Sequence, residues 1–438
     1  MKIYNFKDLT QQKLKELCSR SISDDNLVKL RTEEIINNVK SNGDNALFSY
    51  AQQFDNIELS SLFINKSELA EIAKQIPPSV KSAIDTAYQN IHTFHASQLK
   101  QEDKVETMPG VTCWREARAI ERVGLYIPGG TAVLPSTFLM LGIPAKIAGC
   151  KEIVVCSPPQ QDGKVNCYIA YVATLLDIEK VYLVGGAQAV AAMAYGTESI
   201  PQVYKIFGPG NRYVTEAKKQ VQNSVAIDMP AGPSEVLVLA DDTAIPSYVA
   251  ADLLAQAEHG TDSQSILTVT SNDTANKIIE EVEKQLLALP RKDIAAAAIA
   301  NSYVMLVDDL AQGMEFSNIY APEHLILATE KYESLIPLIN NAGSVFLGNL
   351  TPESAGDYAS GTNHTLPTSA FAKAYSGVSI DTFIKKITFQ HLSVNGLKNI
   401  GNTVEVLAEA EGLQAHKNAV SIRLKEQRIT SKEQRSRY

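Results

Sequence analysis

The chain of 438 residues is 45% hydrophobic and 20% charged, the make-up of a globular protein with an ample core, and at roughly 100–200 residues per domain it is long enough for two to four domains. Its formal net charge of −9 argues against a surface for nucleic acid or anionic membrane, either of which would need a basic patch. The five cysteines (Cys18, Cys113, Cys150, Cys156 and Cys167) form no CxxC pair and read as reduced thiols.

The N-terminus, MKIYNFKDL, lacks the apolar h-region of a signal peptide, so a cytoplasmic location is expected. Residues 1 to about 100 read as helical. Ser23-Asp24-Asp25 is a capping sequence before Leu27–Val39, and Gly43 with Asp44 restarts a helix through Ala46–Gln52. Ser67–Gln75 and Ser79–Gln98 follow on either side of Pro77-Pro78. His92 and His95 fall here and read as satisfied or exposed helix histidines rather than ligands.

From Val111 short β-branched runs alternate with helical segments. Ile120–Ile127 ends at Pro128-Gly129-Gly130, and Glu152–Cys156 ends at Ser157-Pro158-Pro159. Lys180–Val184 ends at Gly185-Gly186, and Val203–Phe207 ends at Gly208-Pro209-Gly210, before Val225–Asp228. Helices are expected between them at Ser136–Ala148, Tyr168–Leu176, Ala187–Ala194 and Tyr213–Val221. The most apolar of these segments, Val133–Ala148, contains Pro135 and Pro144, so no membrane span is expected. Strand, Gly/Pro turn and helix in repetition signal βαβ units and a parallel sheet. A glycine turn at a strand's carboxyl end, opening a helix, is where open α/β sheets bind ligands, and its free N–H groups favour a phosphate. There is no GxGxxG, because Tyr213 stands at the third position, and no GxxxxGK[ST]. The residues leave open a dinucleotide bound in a non-standard way at Gly129, Gly186 and Gly210, or plain tight turns.

After Ala231-Gly-Pro-Ser234 a second α/β block begins, and a duplicated architecture is expected although no residue-level repeat is present. Its strands are Glu235–Leu239, Ser265–Thr270, Tyr303–Val307, Leu325–Ala328 and Ser344–Leu347. Its helices are Pro246–Glu258, Ala275–Leu289 and Asp293–Asn301. From about Phe383 the chain reads as mainly helical, with Asn402–Glu411 the clearest helix, and it closes in a charged tail, Arg428–Tyr438, expected to fray.

Four groups could carry chemistry. Gln256 and His259 are three apart at a helix C-terminus, with Gly260 as the stop, so both can reach one point. Pro322-Glu323-His324 sets a carboxylate beside an imidazole, two general bases of different ordinary pKa. Glu353-Ser-Ala-Gly-Asp357-Tyr-Ala-Ser-Gly-Thr-Asn-His364 is a small, polar loop suited to a site. Glu411 and His416 bracket the end of the last clear helix. Gln256, His259, Asp357 and His416 offer N and O ligands with no thiolate, which suits zinc or another borderline divalent ion in an open site. A zinc hydrolase with Glu323 as base and a non-catalytic metal module use the same residues, although HExxH is absent.

These residues stand in motifs that resemble those of the histidinol dehydrogenase family. The motifs are VGLYIPGG (123–130), VGGAQA (184–189), FGPGN (207–211), DMPAGPSE (228–235), QAEHG (256–260), PEHL (322–325), ESAGDYASGTNH (353–364) and AHKNAV (415–420). The resemblance runs from about residue 20 to about residue 422. It implies an α/β fold of two Rossmann-like domains with parallel sheets, incomplete and aldehyde-dehydrogenase-like, plus small helical N- and C-terminal segments. The implied division is an N-terminal arm (1–22), a zinc and substrate domain (23–122 plus 235–380), an NAD-binding domain (123–234) and a C-terminal dimerisation segment (381–438).

The implied activity is two successive NAD-dependent oxidations of L-histidinol to L-histidine through bound histidinaldehyde, the last steps of histidine biosynthesis. The resemblance also implies one Zn2+ per subunit, held by Gln256, His259, Asp357 and His416. Tyr126, Gln188 and Asn211 would contact NAD. Ser234, His324, His364 and Glu411 would contact the substrate, as would the four metal ligands. Glu323 and His324 would be catalytic. A homodimer is implied in which the C-terminal segment, with His416, completes the partner's site. A thioester route through Cys113 or Cys150 is the mechanistic rival.

Overall fold

The structure, a computed structural model, describes residues 1–20, 26–129, 133–230 and 232–435, with residues 427–435 as backbone alone. Ser23-Asp24-Asp25, Gly130, Ala231 and the last three residues of the tail lie outside the described residues. Two units divide the chain, one of residues 1–98 and 120–383 and the other of residues 99–119 and 384–438.

Fifteen strands are present among the described residues. The first are β1 (Lys2–Asn5), β2 (Phe63–Asn65), β3 (Val105–Met108) and β4 (Val111–Ala119). Then come β5 (Arg122–Tyr126), β6 (Glu152–Ser157), β7 (Lys180–Leu183), β8 (Lys205–Phe207) and β9 (Ala226–Ile227). A second run holds β10 (Glu235–Ala240), β11 (Gln264–Val269), β12 (Tyr303–Leu306), β13 (His324–Ala328) and β14 (Ser344–Leu347). Last is β15 (Ile384–Leu392).

The first unit contains two six-stranded sheets of matching order, β2-β7-β6-β5-β8-β9 and β1-β12-β11-β10-β13-β14. In each, the first strand of its run lies centrally, the next two extend one way and the last two the other. The duplicated architecture is therefore real at the level of topology. All five strands of each run pair in parallel. The sequence EVLVLA of β10 is buried at every position, which is why it runs apolar without alternation: helices cover both faces of such a sheet.

One edge of each sheet is completed from the N-terminal region. There β1 joins β12 in parallel and β2 joins β7 antiparallel. Four and three residues are too few to show a period of two, so these strands are hidden in a stretch that reads as helical. The expected restart at Gly43 is present as a break at φ +50 inside the helix Asn26–Tyr50. The helix Leu310–Tyr320, capped by Asp309, is an addition to the expected elements.

The second unit is an antiparallel sheet of order β15-β4-β3 with the helices Val394–Ala410 and Gln414–Arg435. Its nine-residue strand β15 interrupts the helical reading of the C-terminal part, and the tail continues as helix to Arg435. Among the described residues no helix is long and apolar enough to cross a membrane.

Candidate active site

The carboxyl ends of the first sheet's strands carry the expected glycine turns. Tyr126 ends β5, and its hydroxyl oxygen accepts the Gly186 N–H at 3.1 Å, tying two turns together. Gln188 is buried near the start of the helix Gly186–Tyr195. Asn211 caps the helix Arg212–Val221, its Oδ1 accepting the amides of Tyr213 and Val214 at 3.0 and 3.2 Å, so its side-chain N–H groups are what it can offer a ligand. At Gly208, φ is +127 and a Cβ would collide with the Tyr126 carbonyl oxygen. Buried Asp228 holds this turn, accepting the Gly208 N–H at 2.9 Å and pairing with Lys218, whose Nζ donates to the Gly208 carbonyl at 2.9 Å. A cavity of about 1300 Å³ opens over these turns, reaching from Tyr126, Gly186, Gln188 and Asn211 to His259 and Tyr358.

The second sheet contributes the opposite ends of its strands. Ser234 immediately precedes β10 and His324 opens β13. Gln256 lies in the last turn of the helix Pro246–Ala257, which has Pro at its first turn, and His259 follows two residues beyond the helix end. Asp357 lies on the short helix Glu353–Tyr358, whose first residue, Glu353, is buried. Ligand atoms of His259, Glu353 and Asp357 lie within 4.8 Å of one another. His324 faces the same cluster. Its Nε2 is 3.6 Å from Asp357 Oδ1, and its Nδ1 is 3.6 Å from Glu353 Oε1 and 3.8 Å from Glu323 Oε2.

Hydrogen bonds fix the protonated nitrogens. His324 Nδ1 lies 3.3 Å from the Glu235 carbonyl, which can only accept, so the hydrogen belongs on Nδ1. In the neutral ring Nε2 then carries the lone pair, and it is buried with no hydrogen-bond partner. His364 donates from Nδ1 to the Asp357 carbonyl at 3.0 Å, which leaves Nε2 to accept from the Thr137 hydroxyl at 3.1 Å. Burial lowers the His364 pKa and keeps that ring neutral. Glu323 accepts the Glu235 N–H at 2.9 Å, and burial pushes its carboxyl up to about 8. Burial alone would lower His324, but Glu353, Glu323 and Asp357 around it drive the ring up to about 10. With those carboxylates unbalanced the ring carries a proton on both nitrogens, and Nε2 offers a lone pair only once a cation offsets their charge.

A cation fits this cluster. Three carboxylates converge on one imidazole in a buried place, an excess of negative charge that a divalent ion would balance. Both amide atoms of Gln256 and both carboxylate oxygens of Glu353 are buried without a hydrogen-bond partner. Native structures rarely leave such atoms unsatisfied. The donors are oxygen and imidazole nitrogen, with no thiolate, which suits zinc in an open site.

The structure thus brings together Glu323, His324, Asp357, His364 and His259, with Gln256 buried at the end of the helix that leads to His259. Tyr126, Gln188 and Asn211 gather around the cavity. Glu411 and His416 lie in the second unit, both exposed, at the end of the helix Val394–Ala410 and in the helix Gln414–Arg435. His95 is a buried core histidine and His92 stacks on Tyr88, as expected of both. Glu353 and Thr137 are members of the site that sequence reasoning gives no role. An acid in a Gly/Ser-rich loop and a threonine in an apolar helix carry no signal that would single them out.

The sequence model of the family described as Histidinol dehydrogenase matches residues 18–424. Histidinol dehydrogenase of Bacteroides fragilis is 55% identical over 427 residues, covering 97% of this chain and 99% of that protein. The chloroplastic histidinol dehydrogenase of Arabidopsis thaliana is 51% identical over 97% of this chain and 92% of its own length. The crystal structure of histidinol dehydrogenase from Elizabethkingia anophelis superposes with a TM-score of 0.94 at 50% identity, covering 98% of this chain and 99% of that one. A full-length match at this identity, on this fold and with these residues in one cluster, means that the chain belongs to the histidinol dehydrogenase family.

Proposed function

We propose that the chain oxidises L-histidinol to L-histidine in two NAD-dependent steps with histidinaldehyde held between them, as a zinc enzyme of histidine biosynthesis. The observation that carries this reading is the cluster of buried Glu323, His324 and Glu353 with half-buried Asp357 and exposed His259, the last of which lines a cavity walled by glycine turns. Gln256, His259 and Asp357 hold the metal, with His416 as the fourth ligand from a second copy of the chain. Tyr126, Gln188 and Asn211 contact NAD in the cavity. In this division residues 123–234 bind NAD, residues 235–380 carry metal and substrate, residues 381–438 make a homodimer, and residues 1–22 are an N-terminal arm. Of residues 23–122, expected with the metal domain, β2 joins the sheet of the NAD-binding run and residues 99–119 lie in the second unit. The cytoplasm is the proposed location, given reduced thiols and a soluble biosynthetic family.

When bound, zinc supplies an anchor for the substrate's imidazole and amine, and NAD supplies a hydride acceptor. The chain's own residues handle protons and water. His324 Nε2, whose lone pair is left free by the Nδ1 hydrogen bond, takes the alcohol proton. Glu323, held by the Glu235 N–H, takes a proton from water as it adds to the aldehyde, and His324 returns its proton to the former carbonyl oxygen, which completes the hydrate and frees Nε2. His324 then takes the hydroxyl proton of the hydrate as the second hydride leaves. Ser234, His364 and Glu411 orient the substrate. The His364 ring, with Thr137 and the Asp357 carbonyl on its two nitrogens, presents a fixed tautomer for this.

A thiol nucleophile finds no support at Cys150. Its side chain is packed in the core of the first sheet, and burial pushes the thiol up to about 12. The test of the whole reading is NADH formed per L-histidinol consumed, before and after metal removal. Two NADH per substrate, lost on chelation and restored by zinc, is the expected result. No NADH from a folded, zinc-loaded enzyme would overturn it.

A further inference from the structure

Glu235, the first residue of β10, touches both proposed bases through its main chain. Its N–H donates to Glu323 Oε2 at 2.9 Å, and its carbonyl oxygen lies 3.3 Å from His324 Nδ1. Its side chain points elsewhere, 1% exposed, into a clamp formed by Arg20. Arg20 Nε donates to Oε2 at 2.7 Å and Nη2 to Oε1 at 2.8 Å, a two-pronged grip that fixes angle as well as distance. The Ser369 N–H adds a third bond to Oε1 at 3.1 Å.

Arg20 holds a second element as well. Its Nη1 donates to the Tyr320 carbonyl at 2.8 Å, and its guanidinium carbon lies 3.6 Å from the centre of the Tyr320 ring. Tyr320 ends the helix Leu310–Tyr320, and the chain turns at Ala321, at φ +53, through Pro322 to reach Glu323 and His324. One guanidinium therefore grips both the strand that hydrogen-bonds the two bases and the helix end that delivers them. A buried ion pair is a weak source of stability, since its desolvation offsets most of its attraction. Fixing two elements at defined angles is what the planar fork of arginine does better than an apolar side chain or lysine.

We infer that Arg20, acting through Glu235 and Tyr320, is a positioning residue for Glu323 and His324. The inference rests on the roles proposed for those two bases. A small displacement of a catalytic group lowers the turnover of bound substrate, whereas loss of a purely structural contact lowers stability alone.

The experiment uses the full-length, zinc-loaded enzyme with Arg20→Lys, which keeps the charge and removes the fork, in wild-type and Glu323→Gln backgrounds. Turnover and KM are read for L-histidinol and for histidinaldehyde, together with metal content and thermal midpoint. In the wild-type background kcat for the aldehyde is expected to fall about 10-fold or more, with KM within about 2-fold and zinc content unchanged. In the Glu323→Gln background the same substitution is expected to cost at least about 3-fold less, because one of the groups it positions is gone. An unchanged kcat with a lower thermal midpoint, or an equal penalty in both backgrounds, would overturn the inference. If Glu323→Gln alone leaves aldehyde oxidation untouched, the assignment of that base fails, and that result is read before Arg20 is changed. Should Arg20→Lys not fold, Glu235→Gln carries the same test, and a flat kcat there overturns the inference.

Discussion

His324 Nε2 stands 3.6 Å from Asp357 Oδ1, so the proposed base and a proposed metal ligand face each other across one buried cluster. The two are separated by 33 positions in the chain and by two sheet-flanking connections, and the parallel sheet closes that gap by bringing β13 and β14 side by side. In the proposed reaction a substrate anchored at the ligands is thereby set against the lone pair that takes its proton.

From this arrangement the two bases should separate by step. His324→Gln removes the proton acceptor of both oxidations, and kcat for each should fall about 10²–10⁴-fold, the usual worth of general base catalysis. Glu323→Gln keeps the hydrogen bond from the Glu235 N–H, so the fold is retained while water activation is lost. It should spare alcohol oxidation and depress aldehyde oxidation, as read by single-turnover NADH formation from L-histidinol and from histidinaldehyde. An equal loss in both steps would refute the division.

Cys150→Ser should still yield two NADH per L-histidinol. The thiol is buried in the core of the first sheet, where it donates to the Phe383 carbonyl at 3.9 Å. Loss of the second oxidation alone, with the first intact, would restore the thioester route.

The pair Lys218–Asp228 should matter for both stability and cofactor affinity. Both side chains are buried, and Asp228 also holds the Gly208 turn. Asp228→Ala leaves an ammonium group buried against a single carbonyl, and breaking a buried pair in this way costs about 3–5 kcal/mol. Urea unfolding should register that loss, and KM for NAD should rise in the surviving folded enzyme. A KM unchanged at full destabilisation would separate the turn from cofactor binding.

His95 should make the fold acid-sensitive. The ring is fully buried, with Gln98 Oε1 3.3 Å from Nδ1, and burial holds its pKa below the ordinary 6.5. Between its folded value and 6.5 the unfolded chain binds more protons than the folded one, so stability rises with pH there. This contribution is fully present above pH 6.5 and is lost as pH falls through the folded pKa. Urea midpoints measured from pH 7.5 down to about pH 5 should decline less steeply for His95→Gln than for the native chain. Parallel curves would assign the acid sensitivity to other groups.

Much of the fold was legible because its signals are local. Apolar runs of four to six residues, several of them closed by a glycine or proline turn that opens a helix, mark the strands of the two parallel sheets. Edge strands β1 and β2 were not legible, since their pairing comes from sheets laid down a hundred or more residues later. Of the site, Gln256, His259, Glu323, His324, Asp357 and His364 stand in short motifs whose residue types already suit metal and proton chemistry. Glu353 and Thr137 became visible only through what surrounds them.

Sequence by itself determined the strand-turn-helix alternation, the duplicated pattern and the set of N and O donors, because these follow from side-chain chemistry and spacing along the chain. Only the tertiary structure decided that the first sheet uses the carboxyl ends of its strands and the second its amino ends, so that the glycine turns and His259 border one cavity. It also decided the tautomers of His324 and His364 and the grip of Arg20 on Glu235. Those depend on carbonyls, hydroxyls and carboxylates brought into contact from distant positions, and the physical cause is burial: away from water, each polar atom must find its partner in the fold.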